Sequence, residues 1–166
     1  MDYHKISGAL GSLLLVWSRL EKAMREQITG AESALPAKLH GAGNVLRAWE
    51  TMVSERHPNV CLAPLLAKTV LRQLQEPLQV RNGLCHGLID IQAETEQGPA
   101  TLRWEINDET HSISWDELQA QFGWISRFTR AILLISKPHV GRTDLLTDTA
   151  ENRDWWRSEF SLDLPE

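Results

Sequence analysis

Arg81-Asn82-Gly83-Leu84-Cys85-His86-Gly87-Leu88-Ile89-Asp90-Ile91-Gln92 is the stretch on which the fold turns. Leu78, Leu84 and Leu88 extend the helical spacing of the residues before them, whereas Ile89, Ile91 and Ala93 alternate with Asp90, Gln92 and Glu94. A period near 3.6 gives way to a period of 2, so a helix is expected to about Gly87 and a half-buried strand from Ile89. Arg81, Asn82 and His86 sit at that junction. Asn82 and His86 are four apart and share a helix face. Arginine offers a fixed fork of donors for phosphate, and histidine exchanges protons near neutral pH.

Upstream of the junction, Cys61 opens a helix carrying Leu62, Leu65, Leu66, Leu71 and Leu74, with Pro77 expected to kink it. Before that, Ile6, Leu10, Leu13, Trp17, Leu20, Met24 and Ile28 predict a long amphipathic helix that stops near Gly30. A second helix is expected from Pro36 through Leu39, Leu46, Trp49 and Val53, broken by Arg56-His57-Pro58-Asn59. Downstream, Gln97-Gly98-Pro99 and Asn107-Asp108-Glu109 read as turns around a strand at Thr101–Ile106, with a short segment at Ser112–Ser114 beyond them. Ser114-Trp115-Asp116-Glu117 is a capping box for a fourth helix that ends at Lys137-Pro138, with Leu118, Phe122, Ile125, Thr129 and Ile132 on its buried face.

These elements predict an all-α fold. Its body is a four-helix up-down bundle over residues 1–137, with a small β-hairpin or meander at about 89–114 between the third and fourth helices. An acidic tail over 138–166 would carry one short helix from about Thr149 to Ser158.

A hydrophobic content of 42% and a charged content of 23% exclude a disordered chain. The net charge of -5 resides in the tail: residues 144–166 hold seven acids and two arginines, while residues 1–143 balance 15 basic against 15 acidic groups. Residues 1–89 carry 10 basic and 7 acidic side chains, which leaves room for a phosphate site on the helical part but argues against broad nucleic-acid binding. The longest apolar run, Ala9 to Trp17, is too short to cross a bilayer, and no secretory leader is read, so a cytoplasmic protein with buried, reduced Cys61 and Cys85 is expected. No cofactor fingerprint or metal-ligand spacing is present; His4, His40, His57, His111 and His139 read as surface residues.

The segment Arg81-Asn82-x-x-x-His86 resembles the arginine-x4-6-histidine signature of the HEPN superfamily, in the form with asparagine after the arginine. Leu15-Val16-Trp17-Ser18-Arg19-Leu20-Glu21 is similar to the first helix of many bacterial members. His86-Gly87-Leu88 followed by a hairpin, and Ser112 to Leu133, are similar to their later elements. The resemblance covers roughly residues 5–137. It implies a helical domain that dimerises through the motif-bearing helices. Many members are metal-independent endoribonucleases in toxin–antitoxin, phage-defence or CRISPR-linked systems; others bind RNA, a nucleotide or a protein without catalysis.

On that basis Arg81 and His86 are the candidate catalytic residues, and Asn82 orients the substrate or the imidazole. Glu21 is a candidate support behind them. No metal or cofactor is called for, and the expected partners are a second copy of the chain, RNA, and an antitoxin or other protein. A two-fold interface would present two copies of His86 and Arg81 in one cleft. The residues alone also permit a plain helical scaffold, with Arg81 paired to Glu21 or Glu76, Asn82 capping the helix and His86 buried.

Overall fold

The computed structural model describes residues 3–32, 39–57, 62–96, 98–137 and 143–165. It begins with α1 (Tyr3–Glu32), α2 (Ala42–Arg56), α3 (Ala63–Gln73) and α4 (Gln75–His86). Three strands follow, β1 (Leu88–Gln92), β2 (Thr101–Ile106) and β3 (Glu109–Ser114). Then come α5 (Trp115–Ile125), α6 (Phe128–Ser136), a 3-10 turn (Thr143–Leu146) and α7 (Ala150–Phe160).

The predicted apolar stripe of α1 is its buried one. Ile6, Leu13, Trp17, Leu20, Met24 and Ile28 pack into the core, while Leu10 is half-buried. The helix runs two residues past Gly30. The expected start of the second helix at Pro36 and the break at Pro58-Asn59 lie outside the described residues, as does Cys61. Leu39 precedes α2 as irregular chain, and the helix opens only after Gly41, whose φ of 80° suits glycine. Trp49 on α2 is fully buried and donates its indole N–H to the Ser136 hydroxyl of α6 at 2.7 Å, which ties two core helices together.

Pro77 acts where its ring and missing N–H require. The helix is interrupted at Leu74, beside the Gln73 carbonyl that a proline at 77 cannot engage, although Leu74 itself still bonds to Val70 and Leu78. Pro77 then occupies the first turn of α4, where an N–H has no helical partner to lose.

β1, β2 and β3 form one antiparallel sheet in that order. Asn107 and Asp108 both take positive φ, giving a two-residue hairpin between Ile106 and Glu109. An irregularity between Leu88 and Asp90 shifts the β1 register, so Ile89 stands 55% exposed instead of facing inward. Of the turn expected at 97–99, Gln97 lies outside the described residues and Gly98 bridges back to Thr95.

The Ser114–Glu117 capping box is present as read. Glu117 N–H donates to the Ser114 hydroxyl at 3.3 Å, and Ser114 N–H donates to the Glu117 carboxylate at 3.0 Å. The Ser114 hydroxyl also donates to the Glu117 carboxylate at 2.7 Å, and this bond, with that from the Ser114 N–H, holds the carboxyl below its ordinary range. The single fourth helix expected after it is two. The Ser126 hydroxyl donates to the Gly123 carbonyl at 2.7 Å, and Arg127 and Arg130 make tightened bonds three residues back. The turn there brings Phe128, not Thr129, into the core.

The all-α four-helix up-down bundle is therefore corrected. The chain is mostly helical, but its three-stranded sheet is part of the core rather than a flap upon it. Ala100, Leu102, Trp104 and Ile113 join the same hydrophobic cluster as α1–α3, and a fully buried side chain such as Leu102 contributes about 1.5–3 kcal/mol. The residues expected as a polar tail reach the same cluster through Leu145, Leu146, Trp156 and Phe160. Trp156 is fully buried and donates to the Leu145 carbonyl at 2.9 Å; Thr149 caps its helix through Asn152 N–H.

Candidate functional site

The end of α4 is fixed by two close approaches. A Cβ at Gly83 would run into the indole ring of Trp104, and one at Gly87 would meet the Glu105 carbonyl. Glu105 N–H also donates to the Gly87 carbonyl at 2.9 Å. These contacts clamp the motif-bearing turn onto β2. On its other side α2 comes close: a Cβ at Gly43 would lie 3.3 Å from a Leu78 methyl. The first turns of α2, the last turns of α4 and the end of β2 thus enclose an open groove of about 760 Å³.

Arg81, Asn82 and His86 all line that groove. His86 is exposed, and Arg81 and Asn82 are half-buried. Arg81 donates from Nη1 to the Asn82 side-chain oxygen at 2.8 Å, while its Nε is buried without a partner. Asn82 holds the guanidinium at one corner rather than capping the helix. Cys85 is exposed, not buried as expected.

Glu21 is not in the groove. It accepts two bonds from Arg25, at 3.0 and 2.7 Å, and Arg25 also donates to the Leu39 carbonyl at 2.9 Å. Leu39 leads directly into His40 and Gly41 on the groove wall. Glu21 thus bears on the site through Arg25 and the backbone. Glu76, the other acid considered for Arg81, lines a different groove.

Four polar residues in the groove were not singled out from the sequence: His40, Asn44, Arg47 and Glu105. Asn44 donates to the His40 carbonyl at 2.7 Å and accepts from Arg47 at 2.9 Å, which orients Arg47 along the first turns of α2. Gly41 supplies no side-chain cap to α2, so the positive end of that helix also faces the groove. Among the described residues that line the groove, Glu105 is the one carboxylate. The groove therefore presents two guanidiniums and two imidazoles against one acid. Such a surface stabilises the crowded negative charge of a phosphodiester and offers proton-transfer groups beside it.

A second groove of about 820 Å³ runs along the opposite side of α4 and has the opposite character. Glu76, Glu109 and Glu117 line it, with His111 stacked on Trp104 at 5.8 Å between ring centres. Among the described residues no helix is long and apolar enough to cross a membrane, and no three metal-ligating side chains converge. Comparison with family models, curated proteins and solved structures finds no match for this chain.

Proposed function

We propose that the protein is a metal-independent endoribonuclease of HEPN type, with a composite active site at a homodimer interface, working in defence or toxin–antitoxin biology. The observation that carries this proposal is the convergence of Arg81, Asn82 and His86 in one open groove that also holds His40 and Arg47 and a single carboxylate. The chemistry is transesterification through the substrate's own 2′-hydroxyl. That oxygen attacks phosphorus as its proton passes to one imidazole. The bond from phosphorus to the 5′-oxygen breaks, and a second imidazolium protonates the departing oxygen. Products are a 2′,3′-cyclic phosphate and a 5′-hydroxyl. Arg81 would neutralise charge building on the phosphoryl oxygens. Exposed Leu88 and Ile89, separated from His86 by Gly87, offer apolar surface for a second copy of the chain.

A single-chain site is the second reading, favoured by the presence of His40 and His86 in the same groove. The two differ in their concentration dependence. A composite site loses activity per chain on dilution below the dimer dissociation constant; a site built on His40 and His86 does not. The overall proposal is tested with RNA in excess EDTA. Wild type should cut, and His86→Ala and Arg81→Ala should not. If wild type binds RNA but leaves it intact, the groove is a binding module without catalysis.

A further inference from the structure

Most arginines that make ion pairs in this chain do so conventionally. Arg25 pairs with Glu21, Arg72 with Asp163, Arg130 with Glu159, Arg153 with Asp148 and Arg157 with Asp154. Arg47 and Arg81 differ. Each donates to the side-chain amide of a neighbouring asparagine, Asn44 or Asn82, and neither has a carboxylate partner among the described residues. An amide oxygen orients a guanidinium without cancelling its charge. Both cations line the same groove, Arg47 from α2 and Arg81 from α4. Arg47 is exposed, so nothing in the core requires it there.

We propose that Arg47, fixed by Asn44, is a second phosphate-binding group, so that the groove holds one RNA strand by two phosphates, one on Arg81 and one on Arg47. This rests on the ribonuclease reading for its substrate class, and it adds what that reading lacks: a grip on the strand away from the bond that breaks. The motif handles the reacting phosphate, and Arg47 sets the register of the chain beside it. Each phosphate contact on a single strand releases condensed counterions, so the logarithm of affinity falls with the logarithm of salt by about 0.7 per contact. That slope counts contacts, and a merely structural arginine would not move it.

The probe is a short, fluorescein-labelled oligoribonucleotide with 2′-O-methyl sugars, which lacks the nucleophile for cleavage and so reports binding alone. Its anisotropy is titrated at several salt concentrations with wild type, Arg47→Gln and Arg47→Lys, and inorganic phosphate serves as a competitor. Arg47→Gln should lower the slope by about 0.7 and weaken binding several-fold. Arg47→Lys should keep the slope, and Asn44→Ala should weaken binding while leaving the fold intact by circular dichroism. An unchanged slope in Arg47→Gln overturns the proposal, as does an equal fall in both arginine variants. Arg47-dependent binding of inorganic phosphate with no binding of the oligonucleotide also overturns it, in favour of a small-anion site. Failure of the nuclease reading shows separately, as intact natural RNA while the salt slope still depends on Arg47.

Discussion

The two sides of α4 carry opposite chemistry on one backbone. Arg81, Asn82 and His86 face α2 across a groove with a single carboxylate, whereas Glu76 and Gln79 face β3 and α5 across a groove holding three. Ile106 borders both. The difference lies less in net charge than in how each charge is held. Glu117 in the acidic groove is spent on capping α5 through Ser114, and Glu109 lies 3.9 Å from His111. In the basic groove the arginines are steadied by amides and keep their charge for a ligand. A cation with a carboxylate partner builds structure; one with an amide partner remains available to an anion.

The largest effect should fall on the basic side alone. His86→Ala is expected to slow RNA cleavage by about a hundred- to ten-thousand-fold, the usual contribution of a proton-transfer group. Glu76→Gln, one face away, should leave the rate within about twofold of wild type. A comparable loss in both variants would dissolve the distinction between the grooves.

The wall that separates the grooves comes next. Gly83→Ala drives a methyl group into the Trp104 ring, and overpacking of this kind costs about 1–3 kcal/mol. Thermal unfolding should register it as a clear fall in Tm, and Trp104→Phe in the same chain should recover part of the loss by vacating space. A double variant no more stable than Gly83→Ala would show that the contact is not what fixes α4.

Smaller effects sharpen the electrostatic side. Glu105→Gln removes the only carboxylate among the described residues lining the basic groove and should raise RNA affinity by a few-fold, read by anisotropy at low salt. The acidic side should respond to pH through stability instead. Hydrogen bonds from Ser114 hold Glu117 below the ordinary carboxylate range; away from that groove, Arg153 does the same for Asp148. A depressed native pKa stabilises the fold fully above the unfolded value of about 4 and loses that contribution as pH falls through the native one. Glu117→Gln should therefore lower Tm slightly near neutrality and flatten its decline below about pH 4, so that the two curves converge in acid.

What was legible in the sequence was local. The Ser114 cap needs only Glu117 three residues away, and the Asn107-Asp108 turn needs only two adjacent residues that tolerate positive φ. The stripe of α1 followed from spacing alone. What escaped depended on distant partners. Ile89 turns outward because β1 shifts register against β2, which no alternation within β1 can announce. The sheet enters the core because Trp104 packs on Gly83, a contact between a strand and a helix. At the site, the α4 residues were readable as a short motif, but His40, Asn44 and Arg47 lie about forty residues upstream on another element. A usable signal was present in Gly41-Ala42-Gly43-Asn44-x-x-Arg47. Two glycines at an uncapped helix start allow close approach, and Asn44 and Arg47 are three apart on one face.

The central claim is that the basic groove cleaves RNA through the substrate's 2′-hydroxyl with His86 moving protons. The most direct measurement is the chemical identity of the ends left on an RNA incubated with the full chain in excess EDTA. The account predicts fragments ending in 2′,3′-cyclic phosphate and beginning with 5′-hydroxyl, formed by wild type and absent with His86→Ala. Intact RNA, the same fragments from His86→Ala, or 3′-hydroxyl ends that form only when a divalent metal is added would contradict it.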